Sequence, residues 1–112
     1  MSVTTGVDSE RGPQLAIACV PGAIPENERP SHFALLKRLF GDSVRERRDI
    51  QDGYAFRFDE DAFDDVARFA TNERRCCPFL TFVIELSPNG GPLWLRLSGP
   101  AGTQTFLNAE LP

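Results

Sequence analysis

The segment NERRCCPF, residues 72–79, decides the fold, because a long helical pattern ends in it and a strongly apolar strand pattern follows it. Pro78 ends the helix, since its ring clashes with the preceding turn and the residue before a proline resists helical geometry. Upstream, apolar residues recur at the spacing of one helix face. They are Phe63, Val66, Ala67, Ala70 and Cys77. The pattern predicts a helix from about Glu60 to Cys77, roughly 27 Å long.

The same segment places a carboxylate next to two thiols. Glu73 lies one helical turn before Cys77 and three residues before Cys76, so its carboxylate can reach either sulfur. Glu73 also continues the apolar stripe of the helix, where a charged residue is unusual. This position marks Glu73 as a candidate site residue; the alternative is a structural hydrogen bond to Arg74, Arg96 or the backbone.

Seven further segments have the patterns of strands and helices. The continuous apolar run Gln14–Val20 predicts a central strand that is covered on both faces. Asp52-Gly53 is a hairpin turn signal between a charged strand, suited to a sheet edge, and an alternating one. The other predicted elements are a helix from about Pro30 or Ser31 to Phe40, strands over 44–50, 54–58, 79–87 and 93–98, and a short closing helix over 103–111. Residues 1–13 are predicted to form a flexible tail, and residues 14–112 a single α+β domain.

The order of these elements, β-α-β-β-α-β-β-α, contains the ferredoxin-like βαββαβ pattern, followed by an added C-terminal strand and a short helix. This topology predicts a five-stranded antiparallel sheet with the strand order 5-4-1-3-2, counted along the chain. The apolar first strand then lies in the centre and the charged second strand at an edge, in agreement with their composition. The helices are expected on one face of the sheet.

The predicted topology brings residues that are far apart in the sequence to one end of the sheet. The first strand and the long helix run in the same direction, so Cys19 meets Cys76 and Cys77. The first helix begins at that end and brings His32 close, and Glu73 lies one turn away. We therefore predict that three thiols, one imidazole and one carboxylate converge on a single rim. A surface position for His32 and a packed position for Cys19 are the alternatives.

Thiolates and imidazole are preferred ligands of soft or borderline ions, so the rim predicts a site for Zn(II), Cu(I) or a thiophilic metalloid. The predicted metal ligands are Cys76, Cys77, Cys19, Glu73 and His32. Adjacent cysteines depart from the C-x₂₋₄-C spacing of structural zinc sites. Two alternatives stay open: the cysteines serve as small buried hydrophobes, or Cys76 or Cys77 acts as a nucleophile with Glu73 or His32 as its base.

Charge and composition argue against several classes of function. At 112 residues the chain forms one domain, and its net charge of −4 disfavours a nucleic-acid or anionic-membrane partner. No apolar run approaches the ~18 residues of a membrane span, and the N-terminal segment lacks the pattern of a secretory signal peptide. Three cysteines without an export signal predict reduced thiols in a cytoplasm.

The block E-R-R-C-C-P-F-L (Glu73 to Leu80), followed by P-L-W-L-R-L-S-G-P (Pro92 to Pro100), resembles a set of small bacterial proteins with an E-R-x-C-C-P-F signature. The resemblance covers roughly the C-terminal half of the chain. It implies a recurrent fold unit and marks as its motif Glu73, Cys76, Cys77, Pro78 and Phe79. Because those proteins are functionally uncharacterised, the resemblance implies no activity.

The leading hypothesis is a small cytoplasmic thiol-site protein. It would bind a soft metal ion or metalloid, or sense oxidants, through the Cys76 and Cys77 pair, with Glu73 adjacent and Cys19 as a third ligand. The cofactor expected of such a site is a thiophilic metal ion. The alternative is a non-catalytic interaction module with packed cysteines, a homodimer formed through the exposed edge strand or the open sheet face.

Overall fold

A four-stranded antiparallel sheet and three α-helices form the part of the chain that the computed structural model describes, residues 16–112. In chain order the elements are α1 (Arg29–Arg38), β1 (Glu46–Ile50), β2 (Gly53–Phe58), α2 (Phe63–Cys76), β3 (Thr81–Leu86), β4 (Leu93–Ser98) and α3 (Thr103–Glu110). The α+β class is therefore as predicted. None of these helices is long and apolar enough to cross a membrane.

The strands lie in the order β1-β2-β4-β3, and every neighbouring pair is antiparallel. β2 and β3 are therefore parallel to each other with β4 between them, and α2 connects them as a split β-α-β unit. On β4 every second residue is a fully buried leucine, and each faces an aromatic residue of β2. The pairs are Leu93 with Phe58, Leu95 with Phe56, and Leu97 with Tyr54. This alternation directs one face of the sheet toward the core.

The predicted first strand, Gln14–Val20, is not a strand over residues 16–20, and its first two residues lie outside the described range. Residues 16–112 thus contain four strands where the sequence predicted five, and the predicted order 5-4-1-3-2 is wrong. β4 takes the central place beside β2, because it buries a full row of leucines. Among the described residues of the apolar segment, 16–20, Ile17 and Cys19 pack against the core. The predicted tail, residues 1–13, lies outside the described residues.

The other predicted elements are present, with ends that differ by a few residues. β1 lies at an edge of the sheet and exposes its charged side chains, as predicted. Asp52, with a φ of 55°, makes the tight turn into β2. A 3₁₀ turn, Glu60–Ala62, precedes α2, which ends at Cys76 directly before the Cys77-Pro78 step. α1 ends earlier than predicted and continues as a π-helical turn, Leu39–Ser43.

An aromatic cluster holds α2 against the sheet. Phe40, in the π-helical turn, packs edge-on against Phe69 of α2 and Phe56 of β2, with ring centroids 5.0 Å apart in both pairs. Phe58 adds a third edge-on contact to Phe40 at 6.0 Å. Burying each such ring contributes about 2–3 kcal/mol, so the cluster fixes the position of α2 and with it the carboxyl end of that helix.

Gly53, at the start of β2, allows a close approach between neighbouring strands. A Cβ atom at this position would overlap the carbonyl oxygen of Leu97 in β4. We expect Gly53→Ala to lower the free energy of unfolding by about 3 kcal/mol, because the backbone of β4 would have to shift. The matched control is Gly41→Ala, whose Cβ would meet no atom within 4 Å. Urea denaturation measures both variants, and equal stabilities would contradict this account of the strand pair.

Candidate functional site

Three cysteine sulfurs meet where α2 ends. The Sγ atoms of Cys19, Cys76 and Cys77 all lie within 4.8 Å of one another, and all three residues are free thiols. Cys76 and Cys77 are buried, whereas Cys19 is half-buried. The predicted convergence of the three thiols is confirmed, and their grouping is one that could hold a metal ion.

Cys19 reaches the site by a different route from the predicted one. Instead of forming a central strand, its segment meets the end of α2, where the N–H of Val20 donates to the carbonyl of Cys76 at 2.6 Å. This bond satisfies one of the carbonyl groups that a helix leaves free at its end. The sulfurs of Cys19 and Cys77 are 2.9 Å apart, which is direct contact but longer than the about 2.05 Å of a disulfide bond.

The end of α2 brings the two adjacent thiols into one group. In a continuous helix, successive side chains point about 100° apart. Cys77 departs from helical geometry, with a φ of −121° and a ψ of 77°, while its N–H still donates to the carbonyl of Glu73 at 2.7 Å. Pro78 favours this change, because the residue before a proline avoids helical angles. The adjacent cysteines can therefore act as a pair.

Glu73 connects the thiols to a buried imidazole. Its Oε2 accepts a hydrogen bond from the thiol of Cys77 at 3.4 Å, and its Oε1 accepts one from Nε2 of His32 at 2.9 Å. Glu73 is 1% exposed. Arg96, considered from the sequence as its partner, donates to Glu85 on β3 instead. The carboxylate on the apolar stripe of α2 is thus explained by a thiol and a histidine.

His32 lies behind Glu73 and outside the two groups of atoms that could hold an ion. It is 2% exposed and stacks on Phe69 with ring centroids 5.9 Å apart, so the surface position considered from the sequence is wrong. Its Nδ1 is buried and has no hydrogen-bond partner within residues 16–112. From this position His32 can orient the Glu73 carboxylate, in the way that residues hydrogen-bonded to metal ligands orient those ligands. Direct ligation by His32 stays a prediction.

Glu110, the last residue of α3, completes the site and was not identified from the sequence. Its Oε2 accepts from the thiol of Cys19 at 3.5 Å and lies 3.8 Å from the sulfur of Cys77. Its Oε1 is buried and lacks a hydrogen-bond partner in the described part of the chain. The one sequence signal was its position, since an acidic residue at the carboxyl end of a helix opposes the helix dipole.

Burial and nearby carboxylates set the charge of the site. Burial raises the pKa of the Cys19 thiol to about 12. Burial, followed by the adjacent Glu73 carboxylate, raises the pKa of Cys77 far above its ordinary value. The same two causes raise the pKa of Glu110 to about 8, so this carboxyl keeps its proton at neutral pH. These shifts favour protonated thiols and oppose the hypothesis of a thiolate nucleophile.

Positive side chains do not offset this effect. Within residues 16–112, no arginine or lysine forms a hydrogen bond or ion pair with the three thiols, with Glu73 or with Glu110. Arg74 and Arg75, which the sequence places beside the cysteines, are exposed. The site is therefore a group of thiols and carboxyl groups in which Cys76, Cys77 and Glu73 are buried and Cys19 and Glu110 are half-buried.

Comparisons with protein-family models, with curated proteins and with solved structures gave no match to this chain.

The raised pKa of Glu110 makes the stability of the fold depend on pH. The folded protein holds this proton up to about pH 8, whereas the unfolded chain releases it near the ordinary value of 4.5. Between these values the folded state binds more protons, so the free energy of unfolding falls as the pH rises. The destabilisation is absent below about pH 4.5 and complete above about pH 8.

We expect Glu110→Gln to remove most of this pH dependence, because an amide does not ionise. The matched control is Glu85→Gln, which changes an exposed glutamate of β3 and should keep the wild-type dependence. Urea denaturation across the pH window measures the slope for each protein. A wild-type slope in Glu110→Gln would show that another group is responsible.

Proposed function

We propose that this protein binds a soft metal ion or a metalloid through its three thiols. The observation that carries the proposal is the grouping of Cys19, Cys76 and Cys77, whose sulfurs all lie within 4.8 Å of one another. A second group joins the carboxylates of Glu73 and Glu110 to the sulfur of Cys77 within the same distance. Cys77 belongs to both groups and is the centre of the proposed site.

The distances suit a shared ion after small movements. A zinc–sulfur bond is about 2.3 Å long, so sulfurs that share one ion lie roughly 4 Å apart. The Cys19 and Cys77 sulfurs must separate from 2.9 Å to reach this spacing. Cys19 lies outside the helices and strands, so it can move without disturbing the sheet.

Simple packing of the cysteines does not explain the carboxyl groups. A buried carboxyl group is costly unless its oxygens are hydrogen-bonded or bind a cation, and Glu110 leaves one buried oxygen without a partner among the described residues. A bound cation would stabilise the ionised forms of the thiols and of both carboxyl groups. Because the ion must replace the thiol protons, its affinity should increase with pH.

Oxidant sensing is a second candidate, favoured by the contact between the Cys19 and Cys77 sulfurs at 2.9 Å. A small movement would bring them to the bonding distance of about 2.05 Å. The raised pKa values of both thiols oppose this candidate, because oxidants react with thiolates. Metal or metalloid binding is therefore the better-supported function.

A homodimeric interaction module is the other candidate. It is favoured by β3, an edge strand that exposes Val83 and Leu86 at 45% and 55%. Unpaired edge strands offer backbone groups to a second chain. None of the thiols or carboxyl groups of the proposed site belongs to β3, so dimerisation through this strand and ion binding are compatible.

We also propose that the fold is a variant of the ferredoxin-like plan and that the protein works in a bacterial cytoplasm. The split β-α-β unit of β2, α2 and β3 supports the first proposal. Three free thiols, suited to a reducing compartment, and the E-R-x-C-C-P-F resemblance support the second.

The test of ion binding is a titration of the reduced protein with Cd(II) in the absence of oxygen. We expect one ion per chain, thiolate-to-cadmium charge-transfer absorption in the ultraviolet, and loss of thiol reactivity toward a disulfide reagent. Cys19→Ser should weaken the affinity at least about 100-fold, since it removes a direct ligand. Cys19 is half-buried, so this variant carries the least risk to the fold.

Val20→Ala is the matched control, because it shortens the exposed neighbour of Cys19 and leaves every thiol in place. Its affinity for Cd(II) should equal that of the wild type, and circular dichroism should show that both variants are folded. Three thiols that stay reactive both with Cd(II) and with arsenite present, and no adduct of either in native mass spectrometry, would refute the proposal.

A further inference from the structure

The charge of the thiol group limits the kind of ligand that it can hold. Among residues 16–112, the ionisable side chains that hydrogen-bond to Cys19 or Cys77 from outside the thiol group are the carboxyl groups of Glu73 and Glu110, and no arginine or lysine bonds to this group. A complex with net negative charge would lie next to two carboxyl groups at a buried position, which is unfavourable. The site therefore favours a ligand whose complex with thiolates is neutral.

We propose that the ligand is a trivalent metalloid that arrives as a neutral hydroxide, with arsenous acid, As(OH)₃, as the representative; this inference rests on the proposed ion-binding function. Trivalent arsenic forms three bonds and keeps one lone pair, so three sulfurs complete its shell. Zn(II) or Cd(II) on the same three thiolates would carry one net negative charge and would require a fourth ligand. The three grouped sulfurs and their acidic surroundings match the trivalent class.

Capture is a condensation in which no atom changes its oxidation state. Each of the three thiols loses its S–H bond, and each of the three As–O bonds breaks. Three As–S bonds form, and each thiol proton leaves with a hydroxide as water. No proton enters the solvent and no oxidant or reductant is consumed, whereas Zn(II) or Cd(II) must displace thiol protons into water.

Glu110 is placed to carry protons from the thiols to the departing hydroxides. Its Oε2 contacts the thiols of Cys19 and Cys77 at 3.5 and 3.8 Å. Its Oε1, buried and without a partner among the described residues, can accept a hydrogen bond from an arriving hydroxide. Glu73, held by His32, contacts Cys77 from the buried side at 3.4 Å. The two carboxyl groups that contact Cys77 can therefore take up the thiol proton or pass a proton to the departing hydroxide as the As–S bond forms.

The exposure of the thiols gives an order of bond formation. Cys19 is the half-buried thiol, while Cys76 and Cys77 are 1% and 0% exposed. An arriving hydroxide thus meets Cys19 first and then Cys77, whose sulfur is in contact with it. Cys76 makes the last bond and closes the shell.

Two arsenic probes that differ in their number of bonds to sulfur test the inference on the reduced protein. Phenylarsine oxide keeps its phenyl group and binds two thiols, which the contacting pair Cys19 and Cys77 supplies, whereas arsenite needs all three. With arsenite we expect a native mass equal to the protein plus one arsenic less three hydrogens. We also expect protection of all thiols and no proton release in a weakly buffered solution.

Cys76→Ser separates the two probes. It should weaken arsenite binding at least about tenfold and leave the affinity for phenylarsine oxide within about threefold of the wild type. Cys77→Ser should weaken the binding of both probes, and the control Val20→Ala should bind both as the wild type does. Circular dichroism identifies any variant that fails to fold.

The outcomes distinguish this inference from the proposed function. If Cd(II) protects the thiols and arsenite does not, the metalloid inference is overturned and ion binding stands. If neither ligand protects them, both are overturned. The measurements on the wild-type protein test the inference even if a cysteine variant does not fold. An arsenite adduct of the wild type that leaves one thiol reactive, or whose formation releases protons, overturns the inference.

Discussion

The carbonyl of Glu73 accepts the N–H of Cys77 at 2.7 Å, and the carboxylate of the same residue accepts the Cys77 thiol at 3.4 Å. The first bond closes the last turn of α2, and Pro78 prevents another turn. Cys77 therefore leaves the helix beside Cys76 with both sulfurs in one group. The second bond holds the Cys77 sulfur where Cys19 and Glu110 also contact it. The contacts that Cys77 makes with Cys19, Glu73 and Glu110 depend on this helix end.

The core of the protein determines where Glu73 is held. His32 donates to Glu73 and stacks on Phe69, which belongs to the aromatic cluster between α2 and the sheet. Removing two such polar groups from water is costly, and neither can lose its partner without leaving a buried polar atom unsatisfied. A buried network of this kind has one favourable arrangement, so it specifies the geometry of the thiol group more than it stabilises the fold.

The features that make these thiols poor nucleophiles also make them suitable ligands. Burial and neighbouring carboxyl groups keep Cys19 and Cys77 protonated, which disfavours attack on a substrate or reaction with an oxidant. A ligand that replaces thiol protons by covalent or coordinate bonds removes this penalty, because no free thiolate is left in the buried site. The carboxyl groups around the thiols therefore support both proposals. They keep the free thiols protonated, and they favour a bound ligand whose complex with the thiolates is neutral.

The sequence by itself determined the local elements and the position of Cys76 and Cys77 at the end of a helix. Proline at position 78 ends α2, Asp52-Gly53 forms the hairpin turn, and strict alternation marks the strand Leu93–Ser98. The spacing of apolar residues along the sequence indicates which residues are buried, but not which strands pair. For this reason the prediction that the apolar run 14–20 forms the central strand is wrong, and β4 occupies that place. The contact between Cys19 and Glu110 joins residues 91 positions apart. Only the packing of α3 against the sheet decided that contact, because no local pattern records where the end of a helix meets a distant segment.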